Sequence, residues 1–307
     1  MSVAFLFPGQ GSQVPGMLHT LPDHPSIAQT LDEVSEALGE NVLELDSPEA
    51  LRSTVSVQLA LLASGVAMAR ALIAESVKPE AVAGMSAGAF AAAVVAGVLN
   101  LADGVRLIKQ RADRMVELYP EGYGLAAIVG LTEKQVSALV EEGYTEQNPV
   151  FVGNINAPRQ IVIAGSKEGM EKVLEAARKS GARRAVRLDV SEPSHCPLLQ
   201  PVADTLTRSL QAIHLQEPKM VYVGNITGRA LRSGKAISED LANNIAHGVR
   251  WYDATTVLKE LGCRLFLEMP PGHVLSDLAR EAFPDVRALA VGETSFKHAA
   301  LAAANSG

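Results

Sequence analysis

The sequence predicts an α/β fold: an α/β-hydrolase-like large domain with a parallel sheet, and an inserted ferredoxin-like (βαββαβ) small domain. Three observations carry this reading. Short apolar runs at 3–7, 81–83 and 265–267 alternate with helical stretches, the pattern of strands covered on both faces. One run leads straight into Gly84-Met85-Ser86-Ala87-Gly88, a G-x-S-x-G turn. Between 124 and 190 the rhythm changes to β-α-β-β-α-β.

The first strand, 3–7, is ended by Pro8-Gly9-Gln10-Gly11, a turn signal. Helical periodicity covers 57–74, and a short strand at 81–83 breaks at Gly84. An Ala-rich helix follows, then an amphipathic one at 101–118. In the insert, a strand at 125–130 precedes a helix at 132–142, where Thr132 and Gln135 have capping-box spacing. Strands at 150–154 and 160–164 flank Asn156-Ala157-Pro158; a helix at 167–179 stops at Gly181, and a strand spans 185–190. The large-domain pattern resumes with a strand at 220–223, a helix at 254–261 and a strand at 265–267 before Pro270-Pro271-Gly272. The expected domains are therefore 1–123 with 191–307, and 124–190.

At 307 residues the chain can bury a large core, and 48% hydrophobic with 20% charged residues is an ordinary globular balance. A net charge of -7 argues against a general nucleic-acid binder, which needs a basic footprint. Two cysteines, Cys196 and Cys263, supply neither a disulfide framework nor zinc-ligand spacing, so no metal site is expected. The N-terminus lacks the basic start and apolar core of a signal peptide, and the Ala-rich run 89–98 is too short to span a membrane. A cytoplasmic protein without membrane attachment is the expectation.

G-x-S-x-G places a serine on a sharp strand-to-helix turn, where flanking side chains would strike neighbouring backbone. The following helix N-terminus lends positive potential to a developing oxyanion. Ser86 is thus the candidate nucleophile, and it needs a base. Of seven histidines, His195 follows the turn-like Ser191-Glu192-Pro193-Ser194, a loop that could aim a side chain into an inter-domain cleft. A polar loop histidine remains the plain alternative on this argument alone.

These residues resemble the malonyl-CoA:acyl-carrier-protein transacylase family. Matching motifs are Phe7-Pro8-Gly9-Gln10-Gly11-Ser12-Gln13, the elbow, Arg111 followed by Met115, Asn154 to Gly165, Pro193-Ser194-His195-Cys196, Val249-Arg250-Trp251 and Glu268 to Leu275. The resemblance implies that Ser86 attacks a thioester and His195 relays the proton. It gives the oxyanion hole to the amides of Gln10 and Ala87, and the malonyl carboxylate to Arg111. Gln58 and Met115 would line the site, and a main-chain carbonyl near His247 would orient His195. Malonyl-CoA is the implied substrate, a phosphopantetheine-type arm of an acyl-carrier protein the acceptor, with no bound cofactor.

Fatty-acid-synthesis members usually carry His before the serine and Leu-Gly-Glu after it; here Met85 and Ala87-Gly88-Ala89 stand there. Met85 would therefore meet the acyl or CoA group. Gly88 to Ala93, Tyr119 to Gly124, Gly224 to Arg229 and Asp240 to Asp253 resemble the malonyltransferase (epsilon) subunit of biotin-independent malonate decarboxylase. That branch implies delivery to the decarboxylase carrier subunit. Fatty-acid or polyketide transacylation, a patatin- or lipase-like hydrolase, and a non-catalytic carrier-binding scaffold are the alternatives. Arg178, Lys179, Arg183, Arg184 and Arg187 form a basic cluster, either a solvated helix end or a docking face for an acidic carrier or CoA phosphates.

Overall fold

The computed structural model describes residues 2–119 and 121–304. Pro120, within the 119–124 stretch, lies outside the described residues, as do Met1 and 305–307. The chain opens with β1 (Ser2–Phe7), five of whose six residues are buried. Val3, Phe5 and Phe7 enter one apolar cluster and Ala4 and Leu6 another, so the strand feeds a core on each face of its sheet. Helix α1 (Pro25–Leu38) has no counterpart among the expected elements, although Pro25 at its start and left-handed Gly39 at its end are standard signals. Helix α2 (Thr54–Ala74) begins three residues before the expected 57. It is long and apolar enough to cross a membrane, but 83% of that apolar window is buried inside the protein, as in a core helix. Strand β2 (Pro79–Gly84), α3 (Gly88–Val95) and α4 (Leu101–Leu118) follow.

The next stretch runs β3 (Tyr123–Val129), α5 (Glu133–Gly143), β4 (Val150–Ala157), β5 (Gln160–Ser166), α6 (Lys167–Lys179) and β6 (Arg184–Arg187). Its four strands are antiparallel in the order β4-β5-β3-β6, with an apolar cluster that includes Ile128, Val136, Ile163 and Leu174. Thr132 and Gln135 form the capping box. Strand β6 is shorter than the expected 185–190. Leu188 still donates to Leu125 O of β3 (2.9 Å), and Asp189 and Val190 run on beyond the strand; all three line a cavity.

The remainder comprises α7 (Gln200–Gln211), β7 (Val221–Val223), β8 (Ala230–Leu231), α8 (Gly234–Asn243), α9 (Trp251–Glu260), β9 (Cys263–Glu268), α10 (Val274–Ala282), β10 (Arg287–Ala290) and α11 (Phe296–Ala304). Six strands form one sheet in the order β10-β9-β1-β2-β7-β8. All pairs are parallel except β7 with β8, so the sheet is mixed rather than purely parallel as expected. The chain crosses from β1 to β2 on one side and later returns to β9 on the other. Such a switch leaves a crevice beyond the carboxyl ends of the central strands, the favoured ligand site of open α/β sheets. Backbone bonds Ile155 N–H to Val249 O and Val249 N–H to Gly153 O, both 2.8 Å, tie β4 to the segment entering α9.

Candidate active site

Ser86 stands at the carboxyl end of β2 with φ at +56°, a conformation that L side chains rarely adopt. The two elbow glycines explain how the turn is reached. A Cβ on Gly84 would lie 2.1 Å from the Gly88 carbonyl oxygen, and one on Gly88 would lie 2.2 Å from that of Phe7. Met85 N–H donates to Phe7 O (2.9 Å), which ties the turn to the end of β1. Asn225 clamps it from the other side: its Oδ1 accepts from Ser86 N–H and its Nδ2 donates to Gly84 O, both 2.9 Å. Asp240 holds Asn225 in turn, accepting from the amides of Asn225 and Ile226 at 3.0 Å. Burial pushes the Asp240 carboxyl pKa up against the opposing pull of those two amides.

His195 also has positive φ, +66°, and is 2% exposed. Its Nε2 lies 2.7 Å from Ser86 Oγ and its Nδ1 lies 2.7 Å from the Asn244 carbonyl. A carbonyl only accepts, so Nδ1 carries the proton and Nε2 is free to take one from the serine. Burial, with the Arg111 charge adding to it, lowers the His195 pKa to about 4. The ring is neutral at neutral pH, the state a base requires. The orienting carbonyl is that of Asn244, three residues before the expected position. The Asn244 and His247 backbone both favour the protonated ring, against the larger effect of burial, and the exposed His247 ring sits 3.0 Å from Asn243 O.

Arg111 projects from α4 and is 1% exposed. Its Nη2 donates to Ser86 Oγ at 3.0 Å and its Nη1 to Gln58 Oε1 at 2.7 Å, while Nε has no acceptor among the described residues. Burial lowers its pKa to about 9, with Glu192 pulling the other way, and the guanidinium stays cationic at neutral pH. Gln58 lies beneath Arg111 rather than on the cavity wall; its Nε2 reaches Gln10 Oε1 (3.4 Å) and Met115 Sδ (3.6 Å). The amides of Gln10 and Ala87 donate to no acceptor among the described residues.

Ser86, His195 and Arg111 open into a cavity of about 450 Å³ between the two sheets. Gln10, Met85 and Met115 line it from the large-sheet side, and Leu125, Asn154 and Gln160 from the small-sheet side. Gln160 also lines a neighbouring cavity of about 650 Å³ that carries Arg159 and Arg183. In the basic cluster, Arg178 pairs with Glu171, whereas Arg184 and Arg187 are exposed. Among the described residues no group of three or more His, Cys, Asp and Glu could hold a metal ion.

Sequence reasoning missed Asn225, Asp240, Asn244, Thr54 and Glu192 as parts of this site. The first three lie in stretches that carried the resemblance, but nothing in their spacing shows that they reach Ser86 and His195. Glu192, whose neighbours signal only a turn, accepts from Thr54 Oγ1 at 3.0 Å, and Thr54 Oγ1 accepts from Gln10 Nε2 at 3.2 Å.

Residues 4–301 match the family model for the acyl transferase domain. The chain is 38% identical over 304 residues to the malonyl CoA-acyl carrier protein transacylase of Escherichia coli K12, covering 97% of this chain and 98% of the relative. An acyl-carrier-protein S-malonyltransferase structure from Burkholderia pseudomallei superposes with TM-score 0.93 at 36% identity, covering 98% of this chain and all of that one. A malonyl-transacylase solved in complex with its type II polyketide-synthase acyl-carrier protein gives TM-score 0.93 at 35% identity, covering 100% of each chain.

Proposed function

We propose that this chain, which belongs to the acyl transferase domain family and is an acyltransferase, moves a malonyl group from malonyl-CoA to the thiol of an acyl-carrier protein. Ser86 Oγ attacks the thioester carbonyl carbon while its proton passes to His195 Nε2, 2.7 Å away. The amides of Gln10 and Ala87 receive the oxyanion. As the C–S bond breaks, His195 returns the proton to the departing CoA sulfur. In the second half the carrier thiol gives its proton to His195, attacks the Ser86 ester, and Ser86 leaves reprotonated.

The observation that carries the malonyl reading is Arg111, a buried cation 3.0 Å from the nucleophile with a donor to spare. A malonyl ester on Ser86 brings a free carboxylate to that guanidinium, which fits it in a forked, charge-assisted pair. A lipase- or patatin-like hydrolase would have no task for a charge there, and a scaffold no need of a strained serine beside a neutral imidazole. Incubation with radiolabelled malonyl-CoA tests the reading. A stable Ser86 ester that passes to a thiol supports transfer; rapid release of free malonate, or unchanged activity in Ser86→Ala, overturns it.

The relatives are transacylases of the malonyl CoA-acyl carrier protein type, which favours a carrier of fatty-acid or polyketide synthesis as acceptor. The malonate decarboxylase setting expected from the sequence finds no support in these comparisons. What speaks for it is local: Met85 and Ala87-Gly88-Ala89 around the nucleophile, where fatty-acid-synthesis members usually carry other residues. Transfer rates to each class of carrier decide between them. The strand order β4-β5-β3-β6 supports reading 124–190 as a ferredoxin-like unit set into a large domain of 1–123 and 191–307. The exposed Arg184 and Arg187, with Arg183 at the cavity that shares Gln160, fit a docking face for an acidic carrier. A cytoplasmic setting completes the proposal.

A further inference from the structure

We propose that Glu192 is a positioning residue for acyl selection: through Thr54, Gln10 and Gln58 it holds Arg111 in place for the acyl carboxylate. This inference rests on the malonyl-transfer reading above. Four side-chain hydrogen bonds run head to tail between the two charges. Arg111 Nη1 donates to Gln58 Oε1 (2.7 Å), Gln58 Nε2 to Gln10 Oε1 (3.4 Å), Gln10 Nε2 to Thr54 Oγ1 (3.2 Å), and Thr54 Oγ1 to Glu192 Oε1 (3.0 Å). Every group donates toward the carboxylate, so each bond polarises the next in the same sense.

The ends of this chain are both costly to bury alone. Arg111 is 1% and Glu192 2% exposed, and each keeps one polar atom, Nε and Oε2, without a partner among the described residues. Glu192 compensates the guanidinium from behind, through three intervening side chains, rather than by an ion pair. A direct pair would occupy the fork that a substrate carboxylate must enter. The chain also fixes the Gln10 side chain, and with it the residue whose amide faces the developing oxyanion. Glu192 and His195 share one segment, so the same loop sets the base and the counter-charge.

Single-turnover acylation of Ser86, read by intact-protein mass with malonyl-CoA and with acetyl-CoA, tests this. In Glu192→Ala the malonyl rate should drop by about tenfold while the acetyl rate changes less, so that the ratio falls. Glu192→Gln, which keeps an acceptor for Thr54 but removes the counter-charge, should restore the ratio only in part, to a value between those of Glu192→Ala and wild type. Thr54→Val, which cuts the chain and leaves the carboxylate, should lower the ratio even if Glu192→Ala fails to fold. An unchanged ratio in Thr54→Val, or an equal loss of both acyl groups in well-folded Glu192→Ala, overturns the inference and leaves malonyl transfer standing. Wild-type protein that acylates with neither thioester overturns the transfer reading itself.

Discussion

Arg111 and His195 face the same serine hydroxyl, and the cation bears on what the imidazole can do. The cation keeps the neighbouring imidazole unprotonated, adding to the effect of burial, and His195 is drawn down to about 4. The acidic limb of kcat/KM for acylation should therefore fall near that value rather than near the ordinary 6.5 of histidine. Arg111→Ala should move the limb to higher pH; a limb that stays in place would show that burial alone sets it. The same substitution should lower malonyl transfer while acetyl loading rises relative to it, and equal loss for both would assign Arg111 a structural task. Linkage gives a stability prediction with a definite sign. His195 binds its proton less readily in the folded than in the unfolded chain, so its contribution is complete above the unfolded value of 6.5. It is lost as pH falls from there toward about 4. Denaturant melts of wild type and His195→Gln across that range check it: the pH slope should be shallower in the variant.

At the scale of elements, the elbow is the part whose tolerance is smallest. Gly88→Ala drives a methyl into the Phe7 carbonyl oxygen, a backbone atom that cannot swing aside, and should abolish acylation or folded yield. Asn225→Ala leaves the Ser86 amide and the Gly84 carbonyl without their partner, costing about 1–3 kcal/mol in a melt and slowing acylation. An Asn225→Ala protein with wild-type rate and stability would show that the Phe7 tie suffices. The elbow was legible in sequence because its requirements are local: two glycines, a strand before and a helix after. Helices 101–118 and 167–179 were legible to the residue because their amphipathic spacing lies within each segment; their N-caps, Asn100 and Ser166, stand just outside it. The orienting carbonyl was not, because a main-chain oxygen has no residue type to read. Nor was Asn225, which reaches Ser86 across 139 residues of chain, or Glu192, joined to Thr54 across 138. The antiparallel β8 is two residues long, too short for any alternation to show.

At the scale of the molecule, the proposed transfer works across two layers. Ser86 after β2 and Arg111 on α4 lie on one side of the cavity, and the small sheet supplies the opposite wall and the exposed arginines. If those arginines meet an acidic carrier, Arg183→Glu with Arg184→Glu should raise the apparent KM for the carrier and flatten its dependence on salt. Ser86 acylation by malonyl-CoA should change less, and an unchanged carrier KM would remove the docking face. The order of the large sheet has one more outcome. Its first-made strand, β1, is a central one, flanked by β2 and by β9 at Cys263–Glu268. During synthesis β1 can pair with β2 early, but its other edge stays bare until most of the chain has left the ribosome. An unpaired apolar edge invites pairing with other chains. Translation that stalls before β9 should thus yield aggregating fragments, a burden on chaperones written into the strand order and unrelated to the chemistry at Ser86.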